Sequence, residues 1–586
     1  MLNFWEKLGI GITAGVAGGT WVGFLISLMF GRVVAWPALL AFMVISSWFL
    51  VGIKIERPTK IFLITFLGWG AYLVKLFSQM LVEKADGIWA GGSNVWGDWA
   101  LHIGFVANWL YGNNFPVQNP NFAGVRLAYP FLFDFASAIL VKLGLSISGS
   151  FEIPGMVFGL VIVVLLFSLT VRITKKQATG AIAVAVFMLS GGLGWIYLVP
   201  GQTIFRIPER GVRELTQSYE ANIQWVNFVI SEMVPQRGIA MGISLALSVF
   251  ILWWMGEEKD DYRYFLGAGI MAGLVPFFHA HTFMVLIAVS GCLFLTNRKK
   301  YWWYFFIPAG ILALPQFAYF MPQVSGYGSG FMRWQPGWTA HVQKDNWIWF
   351  WVKNIGLMTI LIPISWIDAW KKHRKLFWIY VPFAVVFVAA NLWIFQPWEN
   401  DNSKLLRFWY LASSVLVANW MVSVSEKGWW QKVIVAVLLV LITLSGAIDA
   451  GSWLDFEKNK LQMWSRTDIE LADRVRELTP ETAVFLTNDN HNHWVVDLAG
   501  RKIVLGFRGW LWSWGINYST RENDVRKMFA GDLQTPQLLT QYDIDYVIIG
   551  PGEKNNFNAS ESYYSSRYPL LFDWYGQKIF DVRGQR

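Results

Sequence analysis

The apolar residues of this chain are grouped into separated blocks of roughly 20, and that grouping constrains the fold more than any other feature. A helix of that length crosses a hydrocarbon core of ~30 Å. Hydrophobic residues fill 55% of the 586 positions and charged residues only 15%, too little charge to cover a soluble chain of this length. The bilayer is therefore the solvent. Reading the blocks against their basic flanks predicts about 13 spans: 8–30, 35–53, 61–81, 153–171, 178–199, 238–255, 263–278, 281–296, 301–320, 347–367, 376–396, 405–423 and 430–448. The expected fold is a polytopic α-helical membrane protein.

Many of the 36 tryptophans sit at block edges, as at Trp302, Trp303, Trp429 and Trp430, where amphipathic indoles form interfacial belts. The +9 net charge lies mostly between blocks. In a membrane chain this is first an orientation signal, not nucleic-acid affinity. Placing the basic connections 54–60, 172–176, 298–300, 371–375 and 427–432 in the cytoplasm puts loop 82–124 and everything after 449 outside. That arrangement is a multi-pass protein of the plasma membrane with an extracytoplasmic tail. The block 127–145 breaks the scheme, since counting it as a span inverts the parity of the N-terminal part. The first apolar stretch is long and followed by further spans, so no cleavable signal peptide is expected. The lone Cys292 rules out an intramolecular disulfide.

After Gly451 the pattern becomes that of a soluble domain. Short β-rich runs at 483–487, 502–505 and 545–549 alternate with helical periods at 469–478, 521–529 and 536–542, predicting a small α/β domain over 451–586 behind a membrane domain over 1–450.

Four constellations carry candidate chemistry. In loop 82–124, Asp98 and His102 are four apart and share a helix face, so Asp98 could take a proton from an attacking hydroxyl; the alternative is a capping aspartate. The run Glu399-Asn400-Asp401-Asn402-Ser403-Lys404, with Arg407 beyond it, crowds charges between apolar helices. Lys404 and Arg407 suit a phosphate, and a self-paired polar turn is the alternative. His279 and His281 are two apart, which on a helix would send them to different faces. With no third ligand, a hydrogen-bonding role fits better than zinc. Arg237 at a helix start could meet an anion or simply snorkel. The tract 488–493 reads as a turn, since asparagine is a poor transition-metal ligand. No P-loop, dinucleotide fingerprint or nucleophile elbow stands in a supporting context.

The many-span body, the acidic motif Trp96-Gly97-Asp98-Trp99 in an early large loop and the C-terminal soluble domain resemble the GT-C superfamily of integral membrane glycosyltransferases. That superfamily includes oligosaccharyltransferases, protein O-mannosyltransferases and aminoarabinose transferases. Ser190-Gly191-Gly192-Leu193-Gly194, Pro235-Gln236-Arg237, His279-Ala280-His281, the run from Gln396 to Lys404 and the run from Tyr542 to Gly550 resemble a prokaryotic branch of it. The acidic loop here follows a third span, where the superfamily usually places it after the first. The resemblance implies sugar transfer from a polyprenyl-phosphate or polyprenyl-diphosphate donor to a glycan, lipid or protein acceptor at the outer face. Asp98 would be the base, or a ligand for Mg or Mn in members that use a divalent cation. Arg237, His279, His281, Lys404 and Arg407 would neutralise the departing phosphate, with Glu399 and Asp401 completing the substrate site. Membrane lipids are the other expected partner, and nucleic acid is not one. The rival readings are a secondary transporter or lipid flippase, which would show internal repeats and broken mid-membrane helices, and a non-catalytic envelope scaffold.

Overall fold

The computed structural model describes residues 2–52, 55–205, 212–327 and 330–585. Lys54, which opens the first basic connection, lies outside the described residues.

The body begins with α1 (Phe4–Phe30), α2 (Trp36–Leu50) and α3 (Lys60–Phe77). Asn3 caps α1 in a capping box with Glu6, satisfying backbone donors that the first helical turn leaves free. Along α1, Gly11, Gly15, Gly19 and Gly23 recur every four residues and face α2. A Cβ at Gly15 would lie 2.1 Å from Ser46 Oγ, and one at Gly19 would lie 2.7 Å from the Ala38 carbonyl oxygen. Glycine is thus what lets the two backbones meet, as small residues do between helices in lipid.

The loop that follows is structured. A hairpin of β1 (Leu81–Lys84) and β2 (Gly87–Ala90) leads into α4 (Ser93–Tyr111), and α5 (Leu132–Lys142) follows. At 11 residues, α5 is about 16 Å long and too short to cross a bilayer alone. Its middle is buried, which settles the ambiguous block 127–145: it is apolar because it is a core helix.

The bundle continues with α6 (Ile147–Thr174), α7 (Gln177–Met188), α8 (Gly238–Lys259), α9 (Tyr262–Gly273), α10 (Pro276–Thr296) and α11 (Trp303–Tyr327). A two-stranded sheet, β3 (Arg333–Trp334) with β4 (Trp393–Ile394), brackets α12 (Trp347–Ile355), α13 (Met358–Lys372) and α14 (Arg374–Leu392); α15 (Ser403–Ser425) and α16 (Trp429–Ser452) close the body. Among the described residues nine helices are long and apolar enough to span, or ten if α12 and α13, bent by 93°, count as one. Three of the thirteen expected spans fall short of a crossing: blocks 35–53, 178–199 and 263–278 hold α2, α7 and α9, of 15, 12 and 12 residues, about 18–23 Å of helix against a core of ~30 Å. The chain is a multi-pass membrane protein. α8 and α15, 89% buried along their apolar windows, form the centre, while α3 and α11, 22% and 28% buried, face outward.

The tail runs through α17 (Phe456–Asn459), β5 (Leu461–Ser465), α18 (Arg466–Leu478), β6 (Val484–Leu486), α19 (Trp494–Asp497), β7 (Lys502–Ile503), α20 (Arg508–Ser513), β8 (Tyr546–Ile549) and the hairpin β9 (Leu570–Trp574) to β10 (Gln577–Asp581). The sheet order is β7-β6-β8-β10-β9, with β6 parallel to β7 and β8 and with β10 antiparallel to β8 and β9. The three expected strands lie on β6, β7 and β8, and Tyr546–Ile549 is wholly buried, as continuous apolar runs in covered sheets are. Loop 82–124 is built into this unit. β2 pairs with β5, Phe122 and Ala123 join the tail's core, and the backbone amide of Ile503 donates to the Pro120 carbonyl at 2.9 Å.

Candidate active site

α4 is held between the bundle and the tail and is buried on every side from Trp99 to Leu110. Trp99 is buried and donates through Nε1 to the Val234 carbonyl at 2.9 Å. On the other side Gly104 admits α19, since a Cβ there would meet Asp497 Oδ1 at 2.8 Å. At its start Trp96 stacks on His491 of the tail, with ring centres 4.8 Å apart and planes 5° from parallel. The tract 488–493, expected to be a simple turn, thus clamps the N-terminal turn of α4 beside Asp98.

A cavity of about 220 Å³ lies between α5, the N-terminal ends of α8, α10 and α15, and α20 of the tail, and its wall includes His102, Tyr129, Asp134, His279, His281, Asp401 and Lys404. Ser513 and Trp514 of the tail close it. Asp134, which the sequence reading passed over, organises one wall. Its Oδ2 lies 2.7 Å from His102 Nδ1, and its Oδ1 accepts from Arg237 Nη1 at 2.7 Å. All three side chains are buried. With Nδ1 held by a carboxylate, the imidazole is fixed in orientation and its Nε2 is left for other chemistry.

The opposite wall carries the histidines and Lys404. The expectation that His279 and His281 face different ways is corrected. His279 has non-helical φ and ψ of −162° and 95° at the head of α10, so helical spacing does not apply, and the two rings lie 5.5 Å apart on the same cavity. His279 Nδ1 pairs with Thr282 Oγ1 and His281 Nε2 with Gln396 Oε1, each at 2.7 Å. His279 Nε2 is buried without a partner. Asn402 fixes the turn before α15 by donating to the Ala390 and Trp393 carbonyls at 2.8 Å and accepting from Gln396 Nε2 at 2.9 Å. Lys404 then reaches the cavity with Asp401 Oδ1 at 3.0 Å.

Four expected members, Asp98, Arg237, Glu399 and Arg407, are not part of the cavity's lining. Arg407 is one turn deeper than Lys404, fully buried, with Nε and Nη2 on Glu232 at 2.7 and 3.1 Å, Nη1 on Ser190 Oγ and Nη2 also on the Val226 carbonyl. It does not line the cavity, because a buried guanidinium needs a carboxylate and Glu232 supplies it. Arg237 stands behind the cavity wall, held by Asp134, by Ser137 Oγ at 2.6 Å and by the face of Phe151. Glu399 accepts from Gln335 Nε2 at 2.5 Å, with Arg333 and His341 nearby, in a cluster beside the cavity. Asp134, Tyr129, Gln396 and Trp514 were missed. A lone aspartate in the apolar run Phe131-Leu132-Phe133-Asp134-Phe135 was a signal that could have pointed to the first of these.

Asp98 lies one turn before His102, half-buried, and among the described residues no hydrogen bond or ion pair holds its carboxylate. Burial pushes its pKa above the ordinary carboxylate range, the charges of His102 and Lys404 pull it back, and Asp401 pushes it up again. Asp98 is therefore within electrostatic reach of the Asp401–Lys404 pair across some 300 residues of sequence. Among the described residues no three His, Cys, Asp or Glu side chains are grouped as a cation's ligands. Asp134 is committed to His102 and Arg237 and Asp401 to Lys404, so among the described residues this donor set does not fit a resident Mg or Mn.

A scan of protein-family models finds no match to the sequence, and a search of curated proteins finds none either. Solved structures do match. One is the archaeal oligosaccharyltransferase AglB from Archaeoglobus fulgidus in complex with an inhibitory peptide and a dolichol-phosphate, at 11% identity and a TM-score of 0.51 over 85% of this chain and 70% of that one. Another is the Archaeoglobus fulgidus oligosaccharyltransferase tethered to an acceptor peptide, at 10% identity and a TM-score of 0.50 over 84% and 69%. At such identity the likeness is one of fold. The many-span body, the structured early loop and the α/β tail give this chain the fold of the archaeal oligosaccharyltransferase.

Proposed function

We propose that this chain is a membrane glycosyltransferase that moves a sugar from a polyprenyl-phosphate or polyprenyl-diphosphate donor to an acceptor at the outer face of the plasma membrane. One observation carries the reading. An unbonded, half-buried carboxylate, Asp98, stands one helical turn before His102 of the cavity wall and within electrostatic reach of Lys404 on the same cavity, whose other lining is histidine-bearing and aromatic. A base near the acceptor and a cation near the leaving phosphate are what glycosyl transfer asks of a site.

In this reading the acceptor's nucleophilic atom attacks the anomeric carbon as its proton passes to the Asp98 carboxylate. The bond from that carbon to the phosphate oxygen breaks, its electron pair stays on the phosphate, and Lys404 meets the added negative charge. His279 donates through its unpartnered Nε2 to a phosphate or sugar oxygen, His281, whose Nε2–H goes to Gln396 Oε1, offers Nδ1 to a sugar hydroxyl, and Phe278, Phe317 and Phe320 give the first isoprene units an apolar wall. His102, oriented by Asp134, is the second proton-handling group. The dolichol-phosphate in the matched oligosaccharyltransferase supports a lipid-phosphate donor. The chemistry needs no soluble nucleotide sugar.

The test is turnover of a radiolabelled polyprenyl-phosphate sugar by the full chain in liposomes. Asp98→Asn keeps size but not basicity, so turnover should fall roughly 10²-fold or more with donor binding kept. Lys404→Gln should weaken binding and turnover together. If both variants turn over as the parent does, the reading is wrong.

A further inference from the structure

A second opening lies at the end of the bundle opposite the polar cavity. The C-terminal ends of α8 and α10 and the N-terminal end of α14 leave an apolar cavity of about 310 Å³, walled by Trp253, Trp302, Phe383 and Leu411 among others. A basic hollow of about 250 Å³, lined by His373, Arg374 and Lys375, adjoins it, and the two share Ile173, Lys375 and Leu376. The apolar chamber therefore opens directly onto fixed positive charge.

Those charges are not spoken for by carboxylates. Lys375 Nζ lies 3.6 Å from the centre of the Trp254 ring and the Arg374 guanidinium 3.9 Å from that of Trp370, and among the described residues neither makes an ion pair. Glu257, the one carboxylate among the described residues of the apolar wall, accepts from Asn297 Nδ2 at 2.8 Å and Tyr301 Oη at 3.0 Å. Lys372, on the same connection, is held by Asp368. Tryptophans around the opening set it at headgroup depth.

We propose that this is a binding site for an anionic phospholipid, its phosphate between Arg374 and Lys375 and an acyl chain in the tryptophan-walled cavity. The site is distinct from the polar cavity. His281 and Leu293 mark the two cavities on α10, 12 residues and therefore about 18 Å apart along the helix. A neutral lipid would leave two cations without a counter-charge next to an apolar chamber, and a soluble anion would leave the chamber unused.

The test titrates the full chain in dodecylmaltoside micelles with phosphatidylglycerol and with phosphatidylcholine of the same acyl chains, read by native mass spectrometry. Phosphatidylglycerol should fill one saturable site and phosphatidylcholine bind at least ~10-fold more weakly. The pair Arg374→Gln and Lys375→Gln should weaken phosphatidylglycerol binding about 30-fold, at roughly 1 kcal/mol per cation near a lipid surface. The pair Lys371→Gln and Lys372→Gln should leave it unchanged. On the unmodified chain, glycerophosphoglycerol, which lacks acyl chains, should not compete. Equal binding of the two lipids, equal loss in the Lys371 and Lys372 pair, or competition by the headgroup alone would each overturn the proposal.

Discussion

Asp134 gives the most exacting test of the site, because its two oxygens hold two different partners. Arg237 on Oδ1 makes a buried ion pair, and His102 on Oδ2 is the oriented imidazole. Removing one member of a buried pair costs about 3–5 kcal/mol, most of it from the charge left behind. Asp134→Asn should fall near the lower end, about 3 kcal/mol, because Arg237 keeps Ser137 Oγ and the Ser150 carbonyl. Arg237→Gln should cost at least as much, since it leaves an anion with only His102. The double variant has no net charge there, so its loss should fall short of the sum by about 2 kcal/mol or more. Turnover should behave differently and stay roughly 10²-fold down in the double variant, because His102 has still lost its carboxylate. The assay is unfolding in mixed dodecylmaltoside and sodium dodecyl sulfate micelles, paired with sugar transfer in liposomes. Losses additive within about 0.5 kcal/mol would mean that the pair does not act as one, and turnover recovering with stability would remove Asp134 from any catalytic positioning.

The raised pKa of Asp98 predicts a pH limb. The carboxylate fraction grows as pH rises through that pKa, so kcat/KM should climb with pH along a limb centred above the ordinary value of ~4. Lys404→Gln should move the limb higher still, and a flat profile from pH 4 to 8 would count against Asp98 as base. Asp497, buried with Oδ2 unpaired and its pKa pushed well up by burial, should make the tail less stable as pH rises. The folded state binds the extra proton, so stability is lost between the unfolded pKa near ~4 and the higher folded one. Asp497→Asn should flatten that dependence in thermal scans, and an unchanged slope would contradict it. For orientation, an impermeant thiol reagent added outside should label a cysteine placed at Asn490 and not one at Lys372; the reverse would invert the membrane topology.

The membrane architecture was legible because a bilayer imposes length and hydropathy on each span independently of its neighbours. So were β6, β7 and β8 of the tail, where short β-rich runs are bounded by turns. The site was legible only in part. Lys404 and Asp401 stand out in the sequence as charges among apolar residues and line the cavity, and the same rule singled out Arg407, which belongs to Glu232. Sequence marks a buried charge but not which neighbour the fold brings to it. His279 and His281 were misread because the two-residue spacing was assigned to an ideal helix, and the break at His279 cannot be seen in composition. Asp134 was hidden by its own surroundings, a single acid in a block examined for whether it spans.

The pairing of β2 with β5 has a consequence for how the protein comes into being. Ala90 and Leu461 are register partners, yet about 370 residues of chain separate them, which a ribosome adding 5–20 residues per second needs roughly 20–75 s to make. Throughout that interval the hairpin has an open edge and α4 lacks the cover of α19 and the clamp of His491. The loop bearing Asp98 is synthesised early and finished last. Under the proposed function, sugar-transfer competence arrives only when the tail docks, and a nascent chain holding the whole membrane bundle but stalled before Leu461 should be inserted, compact and inactive.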